Sequence, residues 1–446
     1  MSSSGIIEVL VPTYNGEAFV AHALRSALSQ TITDIRVIVS DDASTDGTLD
    51  VCATVAESDD RVEIRATTRN RGWVGNANSL LDSVESDLFL VLSQDDTLEP
   101  TALERLSEAL EARPDAVVAA SDIASFGERS AVIGFEPAGT RTAERLLTFL
   151  GGWPTGVAFH GLTRRAAIDA GIRLRPTPFH SFHADTVYVA ELLAAGGAAR
   201  VPERLYRKRY VGWSVSSAAW GFDDDTAPHA WETHTESLIN AIALIRMRRH
   251  HRRRILGACL DRLVRELRFD RHPLNPRLEV VSRLARRAAN AVGGGADWAS
   301  ARAFLAEAIH AHHFGTIDEA RRLARAAVDR DPSCSEARMT LAPALLAAGR
   351  TDEGIAEVRR AVADQPWNPS VRLSACLVFE AAMLLDDAMA EARAAIVIEP
   401  TAAAPWLFLS RIQEHRGDLP AARNSARRAV DLDPGDTAAI ERLRWS

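Results

Sequence analysis

The sequence predicts an α/β domain built on a mostly parallel sheet, followed by an all-α region that ends in a helical solenoid. Three observations carry that expectation. Strand-like and helix-like apolar segments alternate from about residue 5 to 215, an Arg-rich helical stretch occupies 216–298, and 299–446 repeats itself with a fixed period. Alternation of this kind favours β-α-β units with parallel strands, and a fixed period of some tens of residues favours stacked helical repeats. At 446 residues the chain exceeds one ordinary core, so several domains are expected.

The elements of the first zone follow in order. "IIEVLVP" reads as a strand ending at Pro12, "AFVAHALRSALSQ" has apolar residues at helical spacing, and "DIRVIVSDD" is a second strand. "TLDVCATVAES" is a helix, "RVEIRAT" a strand, "GNANSLLDSVES" a helix and "DLFLVLS" a strand. Ligands of such sheets lie beyond the carboxyl ends of the strands. Those ends carry "PTYN", "SDDASTDGT" and "SQDD", so three polar loops are expected on one edge.

In the second zone, fourteen Arg between Arg246 and Arg287 face only Asp261, Glu266, Asp270 and Glu279. Such a stretch could hold a phosphate-bearing or acidic partner, but solvated helix faces beside acidic neighbours are the simpler reading. "GGGADW", 293–298, reads as a hinge or linker.

In the third zone Pro332, Pro366, Pro400 and Pro434 recur every 34 residues, as do Ala327, Ala361, Ala395 and Ala429. Gly315, Gly349 and Gly417 keep the same period, with Met383 in the remaining slot, and Ala320, Gly354, Ala388 and Ala422 form a further small column. Small residues let paired helices approach closely, and Pro ends the second helix. This is the tetratricopeptide pattern, about four repeats whose concave face suits an extended peptide or protein segment. Dimerisation through the repeats is the plainer alternative, and His312 and His313 read as surface residues.

Composition narrows the class. Hydrophobic residues at 47% and charged residues at 25% fit a soluble globular protein, and a net charge of −8 argues against a general nucleic-acid binder. Lys208 is the only Lys. Cys52, Cys259, Cys334 and Cys376 lie far apart without a CxxC pair, which argues against a disulfide framework or zinc site and fits a reducing compartment. The start, "MSSSGIIEVLVPTYN", shows no secretory pattern, and no apolar run approaches the roughly 20 residues of a membrane span. A cytoplasmic location without an integral membrane segment is therefore expected.

The chemistry concentrates in "FLVLSQDDTLEP", 89–100, where an apolar strand delivers adjacent carboxylates to its own end. Together, "VPTYNGEAFVAHALRSALSQT", "VSDDASTDGTLD", "NRGWVGNAN" and "SQDD" resemble the family 2, GT-A-fold glycosyltransferases over about residues 6–215. The resemblance implies a nucleotide-sugar donor whose base and ribose pocket is formed by Pro12, Thr13, Tyr14 and Asp42, with Asn70 and Asn78 close to the nucleotide. It also implies a divalent metal, Mn²⁺ or Mg²⁺, bound by Asp95 with Asp96 as a possible helper, beside Ser93 and Gln94. Ser93 replaces the family's usual first Asp. "HSFHADTVYVAELLAAGG" resembles the segment that carries the catalytic base, with Asp185 at the matching position and Ala184 in place of a second acid. "VPERLYRKRYVGWSVSS" resembles the last motif, but Tyr210 and Val211 stand where a His often completes the metal shell. Arg207, Lys208 and Arg209 could instead offer charge to the diphosphate. Trp153 and His160 read equally as acceptor contacts or as packing.

A GT-A domain followed by such repeats resembles bacterial transferases that glycosylate Cys or Ser of peptides, several of which self-associate. The expected function is an inverting transfer from a UDP-type donor to a peptide or protein Ser, Thr or Cys captured with the repeats. The alternatives are a transferase for a surface glycan or small metabolite, and a degenerate scaffold without catalysis.

Overall fold

The computed structural model describes residues 5–128, 130–134, 139–151, 156–210, 226–269, 272 and 274–445. Its contacts divide the chain into two compact units, Met1–Thr142 with Thr155–Gly221 and Ala143–Pro154 with Phe222–Ser446.

In the first unit β1 (Ile7–Thr13), β2 (Ile35–Asp41) and β3 (Val62–Ala66) alternate with α1 (Val20–Leu28) and α2 (Thr48–Ala56). Next come α3 (Gly72–Leu81), β4 (Leu88–Val91), β5 (Thr97–Leu98), α4 (Ala102–Ala112), β6 (Ala116–Gly127) and β7 (Val132–Ile133). After α5 (Thr142–Gly151), whose residues from 143 group with the second unit, follow a 3₁₀ turn (Gly156–His160), β8 (Leu162–Arg164), α6 (Ala166–Asp169), α7 (Ala184–Ala195) and β9 (Gly197–Tyr210).

Among the described residues the strands form one sheet in the order β3-β2-β1-β4-β8-β6-β9-β5, with β7 beside β6. The half from β3 to β4 is parallel throughout, as the alternation predicts. The other half is mixed, because the three-residue β8 enters antiparallel between β4 and β6. Near-continuous apolar runs make β1 and β2 buried central strands, with Val9, Leu10, Val37, Ile38 and Val39 inaccessible to solvent. The chain leaves β1 toward β2 and β3, then returns to the other side of β1 with β4, so the strand order reverses between β1 and β4. A crevice opens at such a reversal, outside the carboxyl ends.

The second unit is helical among its described residues, from Ala227–Leu244 to Thr437–Trp445. The small columns of the repeat are helix-contact positions. Ala327, Ala361, Ala395 and Ala429 have no exposed surface, and a Cβ on Gly354 would meet Leu346 Cδ1 and lie 3.0 Å from the Ala342 carbonyl oxygen. Residues 293–295 form a short turn between two helices, and 296–298 already belong to the second. Gly293 takes a left-handed φ of 58° and caps the helix Arg277–Val292, and the helix Ala296–Phe314 begins three residues later.

The described residues from 226 to 298 group with the repeats. Buried Arg302 ties the two together: its Nε donates to Asp261 at 2.9 Å, on the helix Arg249–Glu266, and its Nη1 to Asp331 at the end of the first repeat. Acidic and carbonyl neighbours take up much of the surrounding Arg charge, as in Arg265–Glu336, Arg283–Glu232, Arg287–Glu236 and Arg254 on the Asp364 carbonyl. His312 and His313 are exposed. No helix of the described residues is long and apolar enough to cross a membrane.

The glycine column explains itself at the repeat turns. Gly349 and Gly417 have φ of 73° and 85°, and Met383, in the same slot, is forced to 60° with 73% of its surface exposed. A left-handed conformation costs a side chain about 1–2 kcal/mol, part of which a glycine returns through its freer unfolded chain. Met383→Gly should therefore stabilise the protein by about 0.5–1 kcal/mol, read as a higher midpoint of thermal unfolding. A lower midpoint would show that Met383 makes up for its backbone strain by packing.

Candidate active site

The crevice between β1 and β4 is closed at its base by one amide. Gln94 Oε1 accepts from the Tyr14 amide at 2.8 Å, and its Nε2 donates to the Tyr14 carbonyl at 3.0 Å. Gln94 thus joins the ends of the two strands, and Gly16 follows because a Cβ there would meet the Gln94 amide. Tyr14 is left 36% exposed at the crevice. Asn15 accepts from the Thr45 amide at 2.8 Å and donates its own amide to Ser44 Oγ at 2.9 Å, which folds the β2 loop back onto the β1 loop. Pro12 and Thr13 lie within β1, where buried Thr13 Oγ1 donates to Asp41 at 3.2 Å.

Asp42 is 1% exposed, and both of its oxygens accept the Arg71 amide at 2.9 Å. It fixes the start of α3 and presents the exposed Arg71 side chain, a residue that the sequence reading passed over although it lies inside "NRGWVGNAN". Asn70 is exposed and accepts from the Gly72 amide at 2.8 Å. Asn78 serves the fold instead. Its Nδ2 donates to the Leu174 carbonyl at 2.9 Å and its Oδ1 accepts the Leu174 amide at 3.0 Å, which clamps a distant segment to α3. Asn76, also passed over, donates to the Ser40 carbonyl at 2.8 Å and the Thr13 carbonyl at 3.3 Å, tying together the ends of β1 and β2.

The two acids at the end of β4 divide their roles. Asp96 is 1% exposed and accepts from Tyr206 Oη at 2.8 Å and from the Arg209 amide at 2.8 Å, with Lys208 Nζ 3.7 Å away. It is a fastening point for β9. The Ser93 amide donates to the same Tyr206 oxygen at 3.3 Å. The Asp95 carboxylate accepts no hydrogen bond from another described residue. Burial, and then the neighbouring Asp96, hold its carboxyl above the usual carboxylate value against the pull of Lys208 and Arg209.

Alternation along β9 separates the three basic residues. Arg207 pairs with Glu99 at 3.2 Å, while Arg209 lies over the Phe19 and Phe126 rings at 4.9 and 4.6 Å and its Nε donates to the Asp95 carbonyl at 3.3 Å. Lys208 shares the face of Tyr206 and makes no hydrogen bond among the described residues. Burial alone would lower its ammonium, but Asp96, Tyr210, Asp95 and Asp185 outweigh that and hold it above the usual lysine value. One cation therefore feels both the β4 acids and Asp185.

Asp185 opens α7, where its Oδ1 accepts the Thr186 amide at 2.8 Å. The loop before it is strained: His180, Ser181 and His183 have φ of 49°, 57° and 53°. Trp73 Nε1, from α3, holds the His180 carbonyl at 3.0 Å. His160 packs beneath the site, its ring 4.5 Å from that of Tyr206. Burial, and then Lys208, push its imidazole well below the usual value despite a bond to the Val91 backbone. Trp153 and Val211 lie outside the described residues. Among those residues, no cluster of three or more His, Cys, Asp or Glu is arranged to hold a metal.

Against this geometry, residues 8–170 match the family model described as Glycosyl transferase family 2, and residues 311–375 match the tetratricopeptide repeat model. The chain thus combines a family 2 glycosyltransferase domain of GT-A type with tetratricopeptide repeats. Among curated proteins it is 33% identical over 103 residues to GalNAc(5)-diNAcBac-PP-undecaprenol beta-1,3-glucosyltransferase of Campylobacter jejuni, covering 23% of this chain and 33% of that one. It is 34% identical over 106 residues to succinoglycan biosynthesis protein ExoO of Rhizobium meliloti, covering 24% and 30%. An uncharacterized glycosyltransferase of Haemophilus influenzae is 29% identical over 100 residues, covering 22% and 40%. The chain therefore spans well under half the length of these relatives. Among solved structures, S. aureus TarS 1–349 in complex with UDP-GlcNAc shares the fold, with TM-score 0.55 and 16% identity over 73% of this chain and 92% of that one.

The fastening at Asp96 can be tested apart from activity. Tyr206→Phe leaves one buried Asp96 oxygen without its hydroxyl donor and should cost about 1–3 kcal/mol in denaturant unfolding. A change below about 0.5 kcal/mol would show that Lys208 or water replaces the hydroxyl.

Proposed function

We propose that the chain is an inverting glycosyltransferase that moves a sugar from a UDP-type donor to a Ser, Thr or Cys side chain of a peptide or protein. The observation that carries this reading is Asp95, a partly buried carboxylate at the end of β4 that accepts no hydrogen bond from another described residue. It lies beside the reversal of strand order between β1 and β4 and next to Asp96, which has Lys208 Nζ 3.7 Å away. The UDP-GlcNAc complex of the structurally similar TarS supports the donor class.

The nucleotide base lies against Tyr14, with Pro12 and Thr13 behind it, and the ribose side is bounded by Asn70 and by Arg71 held on Asp42. Lys208, with uncommitted N–H donors, contacts the diphosphate. A Mg²⁺ or Mn²⁺ ion fits the donor set. Asp95 offers a carboxylate free of donors from other described residues, and such ions are commonly held by one or two carboxylates plus substrate phosphate and water. When bound, the ion supplies positive charge against the departing nucleoside diphosphate. Asp185 takes the proton from the acceptor hydroxyl or thiol. The freed oxygen or sulfur attacks the anomeric carbon opposite the diphosphate, the carbon–oxygen bond to phosphate breaks, and the configuration inverts.

The peptide acceptor draws support from the repeats. A groove of about 540 Å³ is lined by Pro343, Leu346, Thr351, Leu377, Val378 and Ala381, and Leu377 is 46% exposed. The four buried, unpaired cysteines suit the cytoplasm. A surface-glycan acceptor is the second reading, favoured by the glycan-building names of the curated relatives. Leu377→Glu in the full chain separates the two: it should weaken transfer to a peptide and leave donor hydrolysis unchanged.

UDP, GDP and dTDP should be compared by thermal shift with and without Mn²⁺, and UDP should stabilise most, more so with metal. Asp95→Asn should remove the metal-dependent part of UDP affinity, about tenfold or more. Equal affinity with and without Mn²⁺ in the wild type would exclude the metal role. Asp185→Asn should keep UDP affinity and lose transfer by about 10²–10⁴-fold, and wild-type turnover by that variant would exclude Asp185 as the base.

A further inference from the structure

The carboxylate of Asp185 has two oxygens in unlike settings. Oδ1 is tied into the first turn of α7 by the Thr186 amide. The other lies over the Cα of Gly156, at the start of the 3₁₀ turn Gly156–His160. An ideal Cβ on Gly156 would meet Asp185 Oδ2 directly, lying 2.8 Å from Cγ and 3.3 Å from Cβ of the same residue. All three of its nearest neighbours belong to Asp185. The Gly156 backbone is not left-handed, unlike that of Gly171 or Gly293, so its dihedral angle does not call for glycine. Space alone does.

The same turn packs against α7, the helix that carries Asp185, and against α3. Phe159 packs edge-on against Tyr188 of α7 and Trp73 of α3, with ring centroids 5.7 and 6.4 Å apart. His160 lies against Tyr206, the hydroxyl donor to Asp96. A side chain at 156 would meet the Asp185 carboxylate first, and that carboxylate, the end of a flexible side chain, is what gives way.

We propose that Gly156 is a positioning residue for the reaction. Its bare Cα is the seat on which Oδ2 of Asp185 rests, and it sets where the base meets the acceptor. The inference rests on the reading of Asp185 as the base.

The test is a double-mutant cycle in the full chain with Gly156→Ala and Asp185→Asn. Gly156→Ala should keep the unfolding midpoint and the Kd for UDP with Mn²⁺, because the displaced atoms are the end of a flexible side chain. Its kcat should fall by about 10–100-fold, the cost of misplacing a reacting group by about an ångström. In the Asp185→Asn background, Gly156→Ala should lower the residual rate no further, since no base remains to be misplaced. Equal and multiplicative losses in both backgrounds would mean that Gly156 acts on the fold, and full activity of Gly156→Ala would overturn the proposal outright. Full activity of Asp185→Asn would overturn the underlying assignment instead, whatever Gly156→Ala does. Should alanine lower the midpoint, Trp73→Phe offers a second probe. It removes the N–H that holds the His180 carbonyl, together with part of the ring that meets Phe159, and by the same reasoning it lowers kcat without changing the Kd for UDP. An unchanged kcat in that variant would count against positioning of Asp185 from its surroundings.

Discussion

The candidate site depends on one buried carboxylate. Asp96 accepts the Tyr206 hydroxyl and the Arg209 amide and lies 3.7 Å from the Lys208 ammonium, so the loop after β4 and the end of β9 are held as a single piece. A buried charge persists only when it is paired and fully hydrogen-bonded. Its partners come from one short stretch of strand β9, more than a hundred residues away in sequence. Once Asp96 is held in this way, its neighbour Asp95 cannot turn to the same donors. It remains a carboxylate without an outside donor among the described residues, and burial, then the neighbouring Asp96 charge, hold its carboxyl above the usual value.

The same fastening gives Lys208 its place. Period-two alternation sends Tyr206 and Lys208 to the side of the acids and Arg207 and Arg209 to the side of Glu99 and Phe126, although Arg209 Nε still reaches the Asp95 carbonyl. In a chain whose other basic residues are all Arg, the single ammonium stands where a compact point charge faces several carboxylates. A guanidinium would bring a planar fork with fixed donors and would favour a bidentate pair with one of them. An ammonium can be shared among them.

Much of this architecture was legible in the sequence, because it rests on local periodicity. The alternation through "IIEVLVP" and "DIRVIVSDD" foretold the parallel half of the sheet, and the 34-residue columns foretold the helix contacts of the repeats, down to the slot in which Met383 takes a glycine's conformation. The mixed half of the sheet was hidden, since β8 is a three-residue strand with no periodic signal. At 293–298 the glycines were visible, but their meaning was not. A left-handed cap between packed helices and a flexible linker share the same composition, and the buried Arg302 bond across that turn to Asp261 distinguishes them.

Within the site, sequence motifs located the loops but could not apportion the side chains. Asn78 and Asp96 sit in the motifs, yet their polar atoms answer to Leu174 and to Tyr206 and Arg209. A polar residue in a motif announces that something must be bound there; whether the partner is a ligand or the protein's own backbone is decided by residues far along the chain. Gly156 carries the converse lesson. Its importance lies in an atom that is missing, and that absence acquires meaning only when a carboxylate from another helix is found in the space the atom would fill.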